Sequence, residues 1–335
     1  MNLYSVQKLC YSNEKVVFKC STNYFLRNLS LWVLLFFIFY FSFLLSVNAQ
    51  TNSNQIYYKQ GFDNIYQQDF AAAVRSFQQA LKISPEDDNS RRGLAIALVG
   101  VEKFAEASRE IAKLLAHSPK DSDLLELSAK TFWQQKRFVE AEAVIKRRLE
   151  LENVKAENWA IYGDILDAQR KTIEAIKAYK SAVNMLPDSV DYRYALGALY
   201  WKIIRFDEAE REFLEILKIK PEEPRASFNL GDIYLSRDEA QKAIPFLKTA
   251  AESFQEEYDV HFALGRAFLK NGNFDKAIEE LQLAIKLRPE IAEGYYQLGI
   301  ALQKLGRRNE AKAAFEKVKE LQKSKLESEK LPKNQ

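Results

Sequence analysis

Cysteine and histidine are almost absent from this chain, two of each in 335 residues, and that scarcity removes whole classes of chemistry. Both cysteines, Cys10 and Cys20, precede an apolar segment, so everything after it folds without a disulfide. With no histidine or third cysteine near them, they read as ordinary free thiols rather than a metal or redox pair. His117 and His261 each stand alone, with no second ligand one helical turn away, which argues against a metal site or a catalytic base. His117 falls at a helix end, where an imidazolium would meet the helix dipole favourably. No phosphate-cradling glycine loop, no dinucleotide fingerprint and no nucleophile paired with a base at a recognisable spacing occurs. The chain is therefore expected not to be an enzyme and to carry no metal or cofactor.

An excess of one charge is also missing. The formal net charge is +3, and the stretch before Gln50 supplies it all, with Lys8, Lys15, Lys19 and Arg27 against Glu14. The remainder carries 45 basic and 45 acidic residues. A neutral array makes a poor phosphate binder, so no nucleic-acid partner is expected.

One long apolar run exists, from Leu31 to Val47, free of charge, with Arg27 before it and Val47, Asn48 and Ala49 after it. Its length lies between a signal peptide's apolar region and a full membrane span. Residues 1–49 are thus expected to be a signal peptide or an N-terminal membrane anchor, and contact with the membrane is expected only through this segment if it stays uncleaved. Positive charge on its leading side keeps that side cytoplasmic. The rest of the chain is expected in the periplasm or cell envelope, or anchored with its bulk outside the cytoplasm.

Glycine and proline are sparse, 11 and 8 residues, and they fall at regular intervals. In the stretch from Asp259 to Ile291, a first apolar-periodic run ends at Phe268 and Leu269. Asn271, Gly272 and Asn273 then break the helix, because glycine and asparagine tolerate a left-handed C-cap. A second run carries Phe274, Ala277, Ile278, Leu281, Ala284, Ile285 and Leu287 at helical spacing, and Pro289 stops it. Sliding this helical hairpin in steps of 34 residues puts Pro289 onto Gln255, Pro221, Pro187, Asn153, Pro119 and Pro85 without a gap. Twelve residues before each stop stands alanine: Ala73, Ala107, Ala141, Ala175, Ala209, Ala243, Ala277 and Ala311. The matching position of the first helix is also small, as Gly61, Ala95, Ala129, Gly163, Gly197, Gly231, Gly265 and Gly299. The expectation is that small faces small and lets the two backbones approach.

On these residues the chain resembles the tetratricopeptide-repeat family, whose unit is a helix-turn-helix of 34 residues. The resemblance implies an all-α, right-handed superhelical solenoid of eight tandem repeats over 54–325, bounded at 87, 121, 155, 189, 223, 257 and 291. A polar tail is expected over 326–335. Departures are local: Arg148 replaces a small residue, Asn153 and Gln255 replace the stop proline, and Lys323 stands at the last stop. Pro245 falls inside the second helix of the sixth repeat, so that helix is expected to begin late, near Gln241, or to bend.

The family also implies a concave groove lined by the first helix of each repeat. Carried onto this sequence, that groove comprises Tyr194, Phe228, Phe262 and Tyr296 as an aromatic stripe, Trp201 and Arg266 beside it, and Lys202, Lys270 and Lys304 as a basic row. Asp191, Arg225, Asp259 and Glu293 make a mostly acidic row opposite. Such a groove suits an extended or helical protein segment with apolar anchors and acidic residues. The Lys and Asn by which some relatives clamp a terminal dicarboxylate are replaced by Tyr58 and Phe62. The implied function is a non-enzymatic interaction scaffold of the cell envelope; the other reading is a structural spacer that uses its outer faces. N-terminal sequencing of envelope-purified protein is expected to read from Gln50, or from the anchor; recovery of intact repeats from cytosol runs against both.

Overall fold

The computed structural model describes Tyr40 and residues 53–330. Apart from Tyr40, the segment expected to be a leader or anchor lies outside the described residues, as do both cysteines. Among the described residues no helix is long and apolar enough to cross a membrane. From residue 53 onward there are sixteen helices and, among the described residues, no strand. They fall into two compact units divided after Arg137. The first holds α1 (53–66), α2 (Phe70–Ile83), α3 (Asp88–Gly100), α4 (Phe104–His117) and α5 (Ser122–Gln134). The second holds α6 (Phe138–Leu149), α7 (Ala156–Ala168), α8 (Thr172–Met185), α9 (Val190–Lys202), α10 (Phe206–Ile219), α11 (Pro224–Ser236), α12 (Ala240–Ser253), α13 (Tyr258–Lys270), α14 (Phe274–Leu287), α15 (Ala292–Lys304) and α16 (Arg308–Lys330). Within each unit, sequential helices pack as an all-α solenoid. Odd-numbered helices are the first of each hairpin, even-numbered helices the second.

The turn inside each hairpin has one backbone solution. Gln68, Glu102, Lys136, Arg170, Ile204, Asp238, Gly272 and Gly306, spaced by 34, all have φ between 59° and 79°. The next amide then reaches back to the helix, as in Lys103 N–H to Leu98 O (2.9 Å), Arg205 to Tyr200 (2.9 Å) and Asn273 to Phe268 (2.9 Å). This is the Schellman closure, in which a left-handed residue lets the chain satisfy orphan helix carbonyls. Glycine serves only the last two turns. A Cβ on Gly272 or Gly306 would meet nothing within 4 Å, so it is conformation and not space that favours glycine there.

The expected contact of small on small is not what the hairpin makes. The alanines are buried, but each glycine at the matching first-helix position receives a bulky side chain from four residues beyond the alanine. A Cβ on Gly61 would meet the Phe77 ring, on Gly163 Tyr179, on Gly197 Phe213, on Gly231 Leu247, on Gly265 Leu281 and on Gly299 Phe315, each at 2.4–2.8 Å for the nearest atom. Phe77 also fills the space above Gly93 of the next hairpin. The physical reason is packing density: removing Cβ from one helix opens a hole, and a ring or leucine fills it without a void. Where the first helix has Ala95, the residue at the filling position is Ile111, smaller than the rings and buried in the same core cluster.

Local departures resolve individually. Helix α12 begins at Ala240, in the same register as α8, α10 and α14, so it does not start late. Pro245 and Gln241, whose carbonyl loses its amide partner to the proline, both lie at exposed positions. Arg148, by contrast, is only 2% exposed; Nη2 donates to the carbonyl of Asn153 (2.9 Å), while Nε and Nη1 have no hydrogen-bond partner. Helix α16 continues to Lys330, through the first five residues expected to be tail. Its Lys312 and Lys319 stand where α14 has the apolar Ile278 and Ile285, and both lysines are exposed, which suits a solvated end face.

The hole-and-filler contact gives a direct test. Gly197→Ala is expected to lower stability by about 1–3 kcal/mol, because its Cβ would sit 2.8 Å from Phe213. Gly197→Ala with Phe213→Ile, copying the Ala95 and Ile111 arrangement, is expected to recover most of that loss in urea unfolding. Equal instability of single and double variants would show that the contact is not governed by size.

Candidate binding face

The first helices of the second unit form one surface. Helix α11 packs on α13 and α13 on α15, and side chains about one repeat apart bond across them. Arg225 donates to Asp191 (3.2 Å), Asn229 to the Tyr194 hydroxyl (3.3 Å), Trp201 Nε1 to Asp232 (3.0 Å) and Lys202 to Asp167 (2.7 Å). The nine residues read from sequence as a groove all lie on these helices, but they differ in accessibility.

Tyr194 is half-buried against Phe213, 5.8 Å between ring centres, and the Arg225 guanidinium lies 4.5 Å from its own ring centre. Phe228 and Phe262 pack against the core edge. Phe262 stacks on Tyr258, with 5.4 Å between centres and planes 12° apart, and Arg266 lies 5.6 Å from the Phe262 ring. The large rings left open are Trp201 and Tyr296, 41% and 45% exposed. The aromatic stripe is thus partly core and partly lidded by its own arginines, and its open surface is at two rings.

Charge on this face is also partly spent internally. Lys202 pairs with Asp167, Lys270 with Asp238, and Arg225 with Asp191 and Glu223. Arg266 and Lys304 have no carboxylate in ion-pair range among the described residues. The Trp201 indole is oriented by Asp232, a residue the sequence reading did not single out; the signal for it was an acidic side chain one repeat on, at the ninth position of α11.

Other polar bonds lie within hairpins or join successive ones. Both histidines have partners after all: His117 Nδ1 lies 3.0 Å from Asp88, and His261 Nδ1 lies 2.7 Å from Glu280. Gln169 donates to the carbonyl of Phe138 (3.2 Å) and to Glu142 (2.9 Å), and Glu142 also takes Lys146 (2.6 Å) and Lys171 (2.7 Å). Burial pushes the Glu142 carboxyl up, but the bonds from Lys146, Lys171 and Gln169 outweigh it and hold it at about 2. In the first unit a cleft of about 670 Å³ opens between α2, α3 and α4, over Leu81, Pro85 and Leu94. Among its lining groups, Arg91 and Lys113 pair with Glu110, and His117 meets Asp88.

Sequence-family models describing a tetratricopeptide repeat match residues 65–131, 163–224, 200–258 and 292–325, and one describing a TPR repeat matches 259–306. The chain is a tetratricopeptide-repeat protein. Among solved structures, the crystal structure of MamA is 28% identical, covering 49% of this chain and 96% of its own, with a TM-score of 0.47. A double mutant of MamA RS-1 is 22% identical over 52% of this chain and 98% of its own, with a TM-score of 0.50. YrrB, titled a TPR protein with an unusual peptide-binding site, is 18% identical over 56% and 97%, with a TM-score of 0.49. At 22% identity and a TM-score of 0.50, the likeness to the MamA RS-1 double mutant bears on the fold alone. No curated protein matches the chain.

The bonds at Glu142 make this repeat junction acid-sensitive. A carboxyl held below its ordinary value stabilises the folded state fully above that value, and the contribution fades as pH falls from about 4.5 toward 2. Its lysine partners are partly exposed, so the expected contribution is about 1–2 kcal/mol. Glu142→Gln is expected to lower the urea midpoint at pH 6 and to narrow the difference between pH 6 and pH 3. An unchanged difference would remove Glu142 from the acid response.

Proposed function

We propose that this tetratricopeptide-repeat chain is a non-enzymatic scaffold that holds a protein segment, extended or helical, on the first-helix face of its second unit. The observation that carries this reading is the pair of open rings, Trp201 and Tyr296, set in a surface where Lys202, Arg225 and Asn229 are tied across repeats. A large aromatic side chain kept at a solvent-facing position costs apolar exposure, and such rings supply much of the affinity at protein interfaces. The apolar segment at 31–47, with basic residues ahead of it, supports export, so the partner belongs to the periplasm or envelope.

Accessibility also selects the test. Removing Phe228 and Phe262 would loosen packing along with any binding, because both rest on the core. Trp201→Ala with Tyr296→Ala removes the two most open rings of this face, together with the Trp201 bond to Asp232 and the Tyr296 contact with Phe315, 6.0 Å between ring centres. The double variant is expected to weaken capture of envelope partners by the mature array by about tenfold or more, with helical circular dichroism intact. Undiminished capture would move the function to the outer faces, where the chain would act as a structural spacer.

A further inference from the structure

Charge is not spread evenly along the first-helix face of the second unit. At the ninth, twelfth and thirteenth residues of each repeat, the positions that supply Trp201 and Lys202, helices α7, α9 and α11 carry three carboxylates, Asp164, Asp167 and Asp232, against the single Lys202. At the same positions α13 and α15 carry Arg266, Lys270 and Lys304 and no carboxylate. The sign of this strip therefore reverses between α11 and α13.

Its two parts also differ in how far their charge is satisfied within the molecule. Each carboxylate of the α7–α11 part accepts a bond: Asp164 from the Tyr179 hydroxyl, Asp167 from Lys202 (2.7 Å) and Asp232 from the Trp201 indole (3.0 Å). A lysine at the thirteenth position can find an acid on the preceding hairpin in two places. Lys202 uses the twelfth residue, Asp167, and Lys270 uses the turn residue, Asp238. For Lys304 those two places hold Leu269 and Gly272, which offer no side-chain acceptor. Arg266 stands where α7 and α11 have their ninth-position aspartates, and it lies over the Phe262 ring, 5.6 Å from its centre. In repeat register Arg266 corresponds to Ile300, which is four residues from both Tyr296 and Lys304, about 6 Å along the helix from each. The acids that begin these two helices, Asp259 and Glu293, lie seven residues before Arg266 and eleven before Lys304, about 10 and 16 Å along the axis.

We propose, on the reading of this face as a binding surface, that Arg266 and Lys304 are the points at which the bound segment supplies carboxylates. The occupant is a protein segment whose acidic residues lie over α13 and α15, beside the open Tyr296 ring, and whose apolar anchor reaches Trp201. Placed the other way round, its acidic residues would meet Asp164, Asp167 and Asp232, and like charges set against each other disfavour that arrangement. Charge thus fixes which end of the partner goes to which end of the face. The guanidinium of Arg266 presents a planar fork that matches a carboxylate, and Lys304 adds a mobile point charge one helical turn beyond.

Fluorescence anisotropy of the full chain with three labelled peptides tests this. The peptides share their length and two tryptophan anchors, and carry glutamate, glutamine or lysine at the remaining positions. The glutamate peptide is expected to bind about tenfold tighter than the lysine peptide at low salt, with the glutamine peptide between them, and the preference is expected to shrink as salt is added. Arg266→Glu with Lys304→Glu is expected to reverse the order. Lys177→Glu with Lys286→Glu, the same change of net charge placed on second helices, is expected to leave it as it was. Should the first variant lose its helical circular dichroism, Arg266→Gln with Lys304→Gln is expected to level the three affinities. Equal affinity for the glutamate and lysine peptides, no binding of either, or a preference that Arg266 and Lys304 do not alter overturns the proposal. In each of those cases weakened capture by the Trp201→Ala and Tyr296→Ala variant still retains the face as a binding surface and removes only its charge polarity.

Discussion

The fold depends on one steric arrangement: a missing Cβ on the first helix of a hairpin and a bulky side chain of the second helix seated in the gap. Where glycine stands, phenylalanine, tyrosine or leucine fills the space, and where Ala95 stands, Ile111 holds the filling position. This contact sets how closely the two helices approach, and that approach fixes where the turn and the next hairpin begin. Hence the phase of 34 residues tolerates no insertion, although helix ends, surface charges and even an interior proline vary freely around it. A solenoid has no central core to absorb misfit, so each hairpin must be correct on its own terms and against its two neighbours.

Much of this was legible in the residues. The alanine row, the glycine row and the stop prolines gave period, helix order and turn positions, because each reflects a constraint that only a few residue types satisfy. What packs on the glycines was misread, since periodicity locates two small positions without saying which side chain leans over which. The turn at Asn271 to Asn273 was visible because glycine announces a left-handed residue; Gln68, Ile204 and their equivalents take the same conformation without announcing it. The end of α16 was misjudged for a similar reason: polar composition marks solvation, and a solvated helix reads like a tail until backbone bonds are placed.

The groove illustrates a different gap. Family register assigned nine side chains to a groove, yet register is blind to competition among neighbours. Arg225 lies over Tyr194, and Lys202 and Lys270 each settle on a carboxylate contributed by the preceding hairpin. A row of like residues in sequence is therefore not a row of free charges in space. The pairs of Arg91 with Glu110, Arg193 with Glu212 and His261 with Glu280 escaped notice for the opposite reason: partners nineteen residues apart belong to no helical period, so only comparison across repeats brings them into line.

Arg148 carries a consequence for the array as a chain of linked modules. A guanidinium removed from water with a single carbonyl acceptor is poorly compensated, whereas the equivalent positions in α2, α8 and α12 hold Ala80, Ala182 and Ala250. In a nearest-neighbour system the weakest module, not the average one, decides where breathing begins and how far it spreads. The hairpins from α7 to α14 can then be uniformly sound and still share their lifetime with α6, as a zip fastener parts from its one loose tooth.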